Sequence, residues 1–214
     1  MRLIDLSHTI EHGMVTYDGL PGPAISEFLT REASRARYAA GTEFQIGRID
    51  MVANTGTYLD APAHRFAGGA DVAAIDLGSI ANVPAVVLRA VGQHSIGKVP
   101  AGLKGKALLI HTGWSQFWRS SRYWSNEHPF VTGAAAKTLV KSGVKVVGID
   151  SYNIDDTADP TRPAHTELLR AGIFIVEHMT NLDSLPDSGE IRFFAVPPKI
   201  RGLASFPVRA FAMV

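Results

Sequence analysis

Short apolar runs, β-branched or alternating with polar residues and bounded by glycine or proline, recur along the chain: RLIDLSH from Arg2, FQIGRIDMVANTG from Phe44, VPAVVLRAV from Val83, KALLIHTG from Lys106, VKVVGID from Val144, IFIVEHM from Ile173, IRFFAVPPKI from Ile191 and FPVRAFAMV from Phe206. This patterning predicts strands. Two segments read as helices instead. Thr132 to Val140 opens on a capping threonine, carries alanines with Leu139 four residues after Ala135, and is followed by Gly143. Pro163 to Ala171 starts with proline in the first turn and stops before Gly172. The aromatic stretch Trp114 to Trp124 suits a helix or a lid, its rings serving as core or interface. Strands outnumber helices, no repeat or linker interrupts residues 1–214, and the pattern predicts one mixed, β-rich α/β domain.

Composition narrows the class. Of the 214 residues, 46% are hydrophobic and 19% charged, below the usual charged share of about 25%. A chain of this length can bury a core of its own. Its 21 Lys and Arg balance 20 Asp and Glu without charge blocks, which excludes a strongly basic nucleic-acid binder. With no cysteine, disulfides, thiolate nucleophiles and Cys-based metal sites are excluded, and any metal falls to His and carboxylates. The start, MRLIDLSHTIEHG, breaks its apolar run with Asp5, His8 and Glu11 and so lacks a signal-peptide core. Leu77 to Leu88, the longest charge-free apolar stretch, is too short for a membrane span. A cytoplasmic protein, bound neither to membranes nor to nucleic acid, is expected.

No G-x-S-x-G, P-loop, G-x-G-x-x-G or H-E-x-x-H motif is present. The densest polar cluster is NTGTYLDAPAH, Asn54 to His64, where Pro62 argues for irregular backbone. Taken singly, its residues have plain explanations: Asp60 as a turn or cap residue, His64 as a surface histidine. His165 near a helix start is equally unremarkable. Glu177 lies in an otherwise apolar strand and needs a partner, such as Arg162 or Arg192. His178 beside it is expected on the opposite strand face.

Taken together, these segments resemble the cyclase family of metal-dependent hydrolases, which includes bacterial kynurenine formamidase and isatin hydrolase. NTGTYLDAPAH is similar to the family signature H-x-G-T-H-x-D-x-P-x-H. The likeness continues in DLSHTIEHGM, GIDSYNID, PAHTELLRAGIFIVEHMTNLDSL, PPKIRG and FPVRA, in family order along nearly the whole chain. The resemblance implies a swivelling β/β/α fold, a homodimer or homotetramer, and hydrolysis assisted by a divalent metal. Carried over by residue, it implies Asp60, His165 and Glu177 as ligands of one ion and His64 as the proton shuttle. The two signature histidines that would complete another metal site are replaced here by Asn54 and Tyr58.

Two carboxylates and one imidazole form an open, oxygen-rich site that suits Zn²⁺ or Mn²⁺ comparably. Such an ion makes a neutral-pH nucleophile from water, which can attack a carbonyl carbon while an imidazole moves the proton. The expected function is therefore hydrolysis of a small amide, formamide, lactam or lactone with a single metal ion. Asn54 and Tyr58 become substrate-binding or supporting residues, and GMVTYDGLPGP adds Tyr17 as an aromatic residue turned to the substrate. The alternative is a family member that has lost catalysis and binds a small molecule or serves a structural role.

Overall fold

A computed structural model describes all residues, 1–214. Its strands are β1 (Leu3–Asp5), β2 (Ala24–Leu29), β3 (Ile46–Asp50), β4 (Tyr58–Asp60), β5 (Val83–Arg89), β6 (Ser95–Ile96), β7 (Ala107–His111), β8 (Phe130–Val131), β9 (Val146–Ile149), β10 (Phe174–Glu177), β11 (Arg192–Phe194), β12 (Ser205–Pro207) and β13 (Phe211–Met213). The helices are α1 (Arg31–Arg35), α2 (Gly133–Ser142) and α3 (Pro163–Arg170).

Nine strands make one sheet in the order β1-β13-β11-β5-β7-β9-β10-β4-β12. Its centre, β5-β7-β9-β10, is parallel, and both flanks are antiparallel. The parallel strands β7, β9 and β10 are covered on both faces, which explains their nearly unbroken apolar sequences. Alternation divides them between two cores. Leu108, Ile110, Val147, Ile149 and Ile175 pack with the helix residues Leu139, Leu168 and Leu169. Leu109, Val146, Leu59 and Val176 face the other way, towards Ile4, Leu6, Phe193 and Ala212. By the same period of two, Tyr58, Asp60 and Glu177 project from the face that α3 covers.

The mixed, strand-rich architecture agrees with the sequence reading, and both helices fall where capping placed them. Thr132 Oγ1 accepts from the Ala135 amide at 3.2 Å, and Gly143 closes α2 at φ 73°. Several local expectations change. The run expected to be irregular around Pro62 begins with β4, because Tyr58–Asp60 pairs with both β10 and β12; Pro62 follows the strand and opens a 3₁₀ turn, Pro62–His64. FPVRAFAMV divides into β12 and β13, which lie at distant positions of the sheet. The aromatic stretch forms two 3₁₀ turns, Trp114–Phe117 and Ser121–Trp124, in place of one helix. β3 leaves the main sheet altogether and pairs only with β2, as a ribbon whose Phe28 is 73% exposed.

Gly148 sits where β9 meets the segment after β10. A Cβ there would lie 2.5 Å from Met179 Sδ and 3.0 Å from Leu109 Cδ2. Gly148→Ala should therefore lower the unfolding free energy by about 1–3 kcal/mol, the usual cost of overpacking. Urea denaturation checks this, and unchanged stability would show that the Met179 side chain relaxes freely.

Candidate active site

Strand register brings the first polar groups together. Tyr58 lies directly across from Glu177, and its hydroxyl donates to Glu177 Oε2. Asp60 lies across from Ser205 on the other neighbour, β12, and Ser205 Oγ donates to Asp60 Oδ1. Asn54 Nδ2 also donates to that oxygen, at 3.4 Å. The Ile154 amide donates to Glu177 Oε1 at 2.6 Å. Glu177 thus finds its partners in Tyr58 and backbone, and neither Arg162 nor Arg192 pairs with it. Asn54 and Tyr58 act here as hydrogen-bond donors to the two carboxylates.

Two imidazoles enter from different elements. The 3₁₀ turn after Pro62 delivers His64, whose Nδ1 is 3.0 Å from Ser205 Oγ and 3.5 Å from Asp60 Oδ1. His165 comes from the first turn of α3. Its Nδ1 is 2.7 Å from Asp155 Oδ2, and the same carboxylate accepts from the Ala164 and His165 amides. Asp155 thereby satisfies the helix N-terminus and orients the ring. Arg162, the residue before Pro163, is left-handed at φ 49°, ψ 61°. That conformation costs a non-glycine residue about 1–2 kcal/mol and is further disfavoured before proline.

With Nδ1 bonded to Asp155, His165 Nε2 points between the carboxylates, 3.7 Å from Asp60 Oδ2 and 3.7 Å from Glu177 Oε1. Asp60 Oδ2 is fully buried and has no hydrogen-bond partner. Burial opposes ionisation of Asp60, but His165, His64 and Ser205 prevail and hold it below the usual carboxylate range. Burial pushes Glu177 up to about 7, against the pull of His165. His165 feels the same burial, yet Glu177, Asp155 and Asp60 together raise it to about 10. The cluster requires positive charge, and a proton on His165 or a cation in its place would meet that requirement. The donor set fits a divalent ion: Asp60, His64 and His165 offer ligand atoms within 4.8 Å of one another, with Glu177 beside them. An unpartnered buried carboxylate oxygen is the feature that a metal would explain.

These groups open onto a cavity of about 320 Å³. Tyr17, Asn54, Tyr58, His64, His165 and Glu177 all line it, so the sequence-derived candidates converge, with Asp60 buried beneath them. Tyr17 accepts a hydrogen bond from Asn153 Nδ2 at 3.1 Å, and burial with nearby Glu177 raises its pKa, so the phenol stays protonated. Arg65 and Arg162 complete the polar lining. Behind it lies an aromatic wall containing Trp118, Tyr123, Trp124 and Tyr152, into which His178 is inserted. The expected opposite-face placement of His178 gives way because β10 ends at Glu177 and His178 takes φ 54°. Sequence reasoning assigned no role to Asp155, Ser205, Asn153 or Arg65, and gave Arg162 only that of a candidate partner for Glu177. Asp155 lay inside a recognised segment, and Arg162 carried the one local signal, an arginine before a helix-starting proline.

Residues 4–156, well over half of the chain, match the model of the Cyclase family. The chain is 31% identical over 211 residues to a kynurenine formamidase of Geobacillus thermodenitrificans, covering 97% of this chain and 95% of that protein. A structure described as a potential metal-dependent hydrolase with cyclase activity superposes with a TM-score of 0.79 at 28% identity, over 99% and 96% of the two chains. Isatin hydrolase A of Labrenzia aggregata shares the fold, with a TM-score of 0.79 at 23% identity over 100% and 93% of the chains.

Two buried histidines beside the site, His8 and His178, make an acid-sensitive contribution to stability. Burial, reinforced by Arg119, lowers His8 to about 4, and burial, reinforced by His8, lowers His178 to about 3. The unfolded chain takes up these protons near pH 6.5 and the folded chain does not, so the contribution of these two residues is full above that pH and is lost as pH falls towards 4, opposed by Glu177 and His165, whose raised values let the folded chain hold the extra protons. Between pH 6.5 and 5 each histidine should cost about 2 kcal/mol. Urea midpoints at pH 7 and 5, compared between the wild type and a variant lacking one of the two histidines, isolate this contribution. His8→Phe, which preserves stacking on Trp118, should weaken the dependence; an identical pH profile would contradict this assignment.

Proposed function

Because the chain belongs to the Cyclase family, we propose that it is a metal-dependent hydrolase of a small amide-type substrate, a formamide, lactam, lactone or simple amide, acting chiefly on carbon–nitrogen bonds. The observation that carries this reading is the unpartnered Asp60 Oδ2, buried and facing His165 Nε2. Asp60, His165 and Glu177 would hold one divalent ion, Zn²⁺ or Mn²⁺. When bound, the ion supplies Lewis acidity and a neutral-pH nucleophile derived from water. Asn54 and Tyr58, already bonded to the carboxylates, support a single ion where the family signature has two further imidazoles.

The remaining work falls to side chains. His64 is 35% exposed at the cavity, and with Nδ1 held by Ser205 its Nε2 is free to take a proton from water and return it to the leaving group. Asp155 engages Nδ1 of His165 and so leaves Nε2 as the nitrogen that would bind the ion. The protonated Tyr17 can donate to the substrate carbonyl oxygen.

On the same proposal the chain acts as a homodimer or homotetramer in the cytoplasm. A two-stranded ribbon gains little stability alone, and β2–β3 leaves Ile25, Phe28, Ile46 and Ile49 exposed. A second copy would cover them. Light scattering should give a mass two or four times 23.0 kDa, and Phe28→Glu with Ile49→Glu should reduce it; a wild-type monomer would contradict the assembly.

Metal titration by calorimetry separates the roles. Wild-type protein should bind about one ion per chain in its catalytic site. Glu177→Gln and Asp60→Asn should weaken binding, whereas His64→Ala should retain the ion and lose about 10²–10⁴ in turnover of an aryl formamide. Loss of metal from His64→Ala would make that residue a ligand. Failure of the wild type to bind any ion under metal supplementation would favour a non-catalytic binding protein.

A further inference from the structure

Three consecutive residues after β9 each hold a different part of the site. The Ile154 amide donates to Glu177 Oε1 at 2.6 Å, and the Asp155 carboxylate engages His165 Nδ1 at 2.7 Å. Asn153, which the proposed hydrolysis leaves without a role, lines the cavity at 7% exposure and donates from Nδ2 to the Tyr17 hydroxyl at 3.1 Å. The other end of the same side-chain amide is also fixed. Asn153 Oδ1 accepts from the Asp155 backbone amide at 3.0 Å, two residues on, which closes an Asx turn.

That turn settles which way the side-chain amide points. A backbone N–H can only donate, so the atom facing Asp155 is the carbonyl oxygen and the atom facing Tyr17 is the nitrogen. The nitrogen in turn can only donate. Tyr17 Oη therefore accepts from Asn153, and its own proton points elsewhere. The Tyr152 hydroxyl is the other group within reach of Tyr17, but a hydroxyl both donates and accepts and so imposes no direction. The accepted bond also strengthens the phenolic O–H as a donor.

Tyr17 depends on such a fixture because its loop has few bonds of its own. The loop closes where the Gly13 amide donates to the Pro23 carbonyl at 2.8 Å, and within it the Leu20 amide donates to the Tyr17 carbonyl at 3.0 Å. No backbone–backbone hydrogen bond joins residues 15–22 to the rest of the protein. The Tyr17 ring packs against Tyr152 and Trp124, with centroids 5.2 and 6.1 Å away, which places the ring and leaves the hydroxyl proton undirected.

We infer that Asn153 is a positioning residue: by donating to Tyr17 it turns the phenolic O–H into the cavity, towards the substrate carbonyl oxygen. The inference rests on the hydrolase reading for what Tyr17 meets there, while the link between the two side chains stands on the geometry alone.

The test is a double-mutant cycle on the metal-supplemented full-length protein with formanilide. Asn153→Ser keeps a hydroxyl that can accept from the Asp155 amide in the same kind of turn, and is too short to reach Tyr17. It should lower kcat about 2–10-fold, the worth of one neutral hydrogen bond, with KM and metal affinity unchanged. In the Tyr17→Phe background the same substitution should change nothing, since the group it acts through is gone. Asn153→Asp preserves shape and turn but can only accept, so Tyr17 would donate to it and kcat should again fall; it is the second variant should the serine variant not fold. Equal losses in the two backgrounds, loss of metal affinity in Asn153→Ser, or wild-type kcat in both position-153 variants overturns the inference and leaves the hydrolase reading intact. If the wild type does not hydrolyse formanilide, calorimetric binding of formanilide decides. Weaker binding by Asn153→Ser that disappears in the Tyr17→Phe background supports the positioning role while the hydrolase reading fails, and additive or absent effects overturn both.

Discussion

A carboxylate removed from water without a counter-charge costs several kcal/mol, and this protein buries two of them, Asp60 and Glu177, around the Nε2 of a single imidazole. Much of the local structure answers that cost. Tyr58, Ser205, Asn54 and the Ile154 amide neutralise three of the four oxygens by hydrogen bonding. The fourth, Asp60 Oδ2, faces His165 without a bond. Asp155 completes the arrangement from behind, since by taking Nδ1 of His165 it commits the other nitrogen to the carboxylates. The arrangement leaves one unmet demand for positive charge, which a proton on His165 or a divalent ion would meet.

The sheet makes this possible because β4 is held on both sides. Its partners β10 and β12 place Glu177 opposite Tyr58 and Ser205 opposite Asp60, so pairing across two ladders, with no contribution from sequence proximity, sets the contacts. The period of two then sends all of these side chains to the face covered by α3, where His165 is waiting, and leaves Leu59 and Val176 to the opposite core. Gly148 allows Met179 to pack against β9 immediately after the strand that carries Glu177. Packing and chemistry therefore share one segment.

The central strands and both long helices were legible in the sequence because burial on two faces writes continuous apolar runs and because Thr132, Gly143 and Pro163 mark helix ends chemically. The three-residue β4 was not legible: it is too short for a period to register, and Pro62 suggested irregularity when it only ends the strand. β2 was missed because its exposed face carries no core pattern, and its ribbon gathers its apolar residues on the outside. At the site, Glu177 stood out as a charge in an apolar strand. Asp60, His64 and His165 gained meaning through resemblance to a family pattern. Ser205 and Asp155 could not be found this way, since one meets Asp60 from 145 residues away and the other looks like an ordinary loop aspartate.

The account depends on what sits against Asp60 Oδ2, and diffraction near a metal absorption edge locates it most directly. Crystals grown with Mn²⁺ or Zn²⁺ should give one anomalous peak per chain, in contact with Asp60 Oδ2, His165 Nε2 and Glu177. Two peaks in the site, a peak that avoids these three residues, or no peak with Asp60 bonded to a protonated His165 would contradict it.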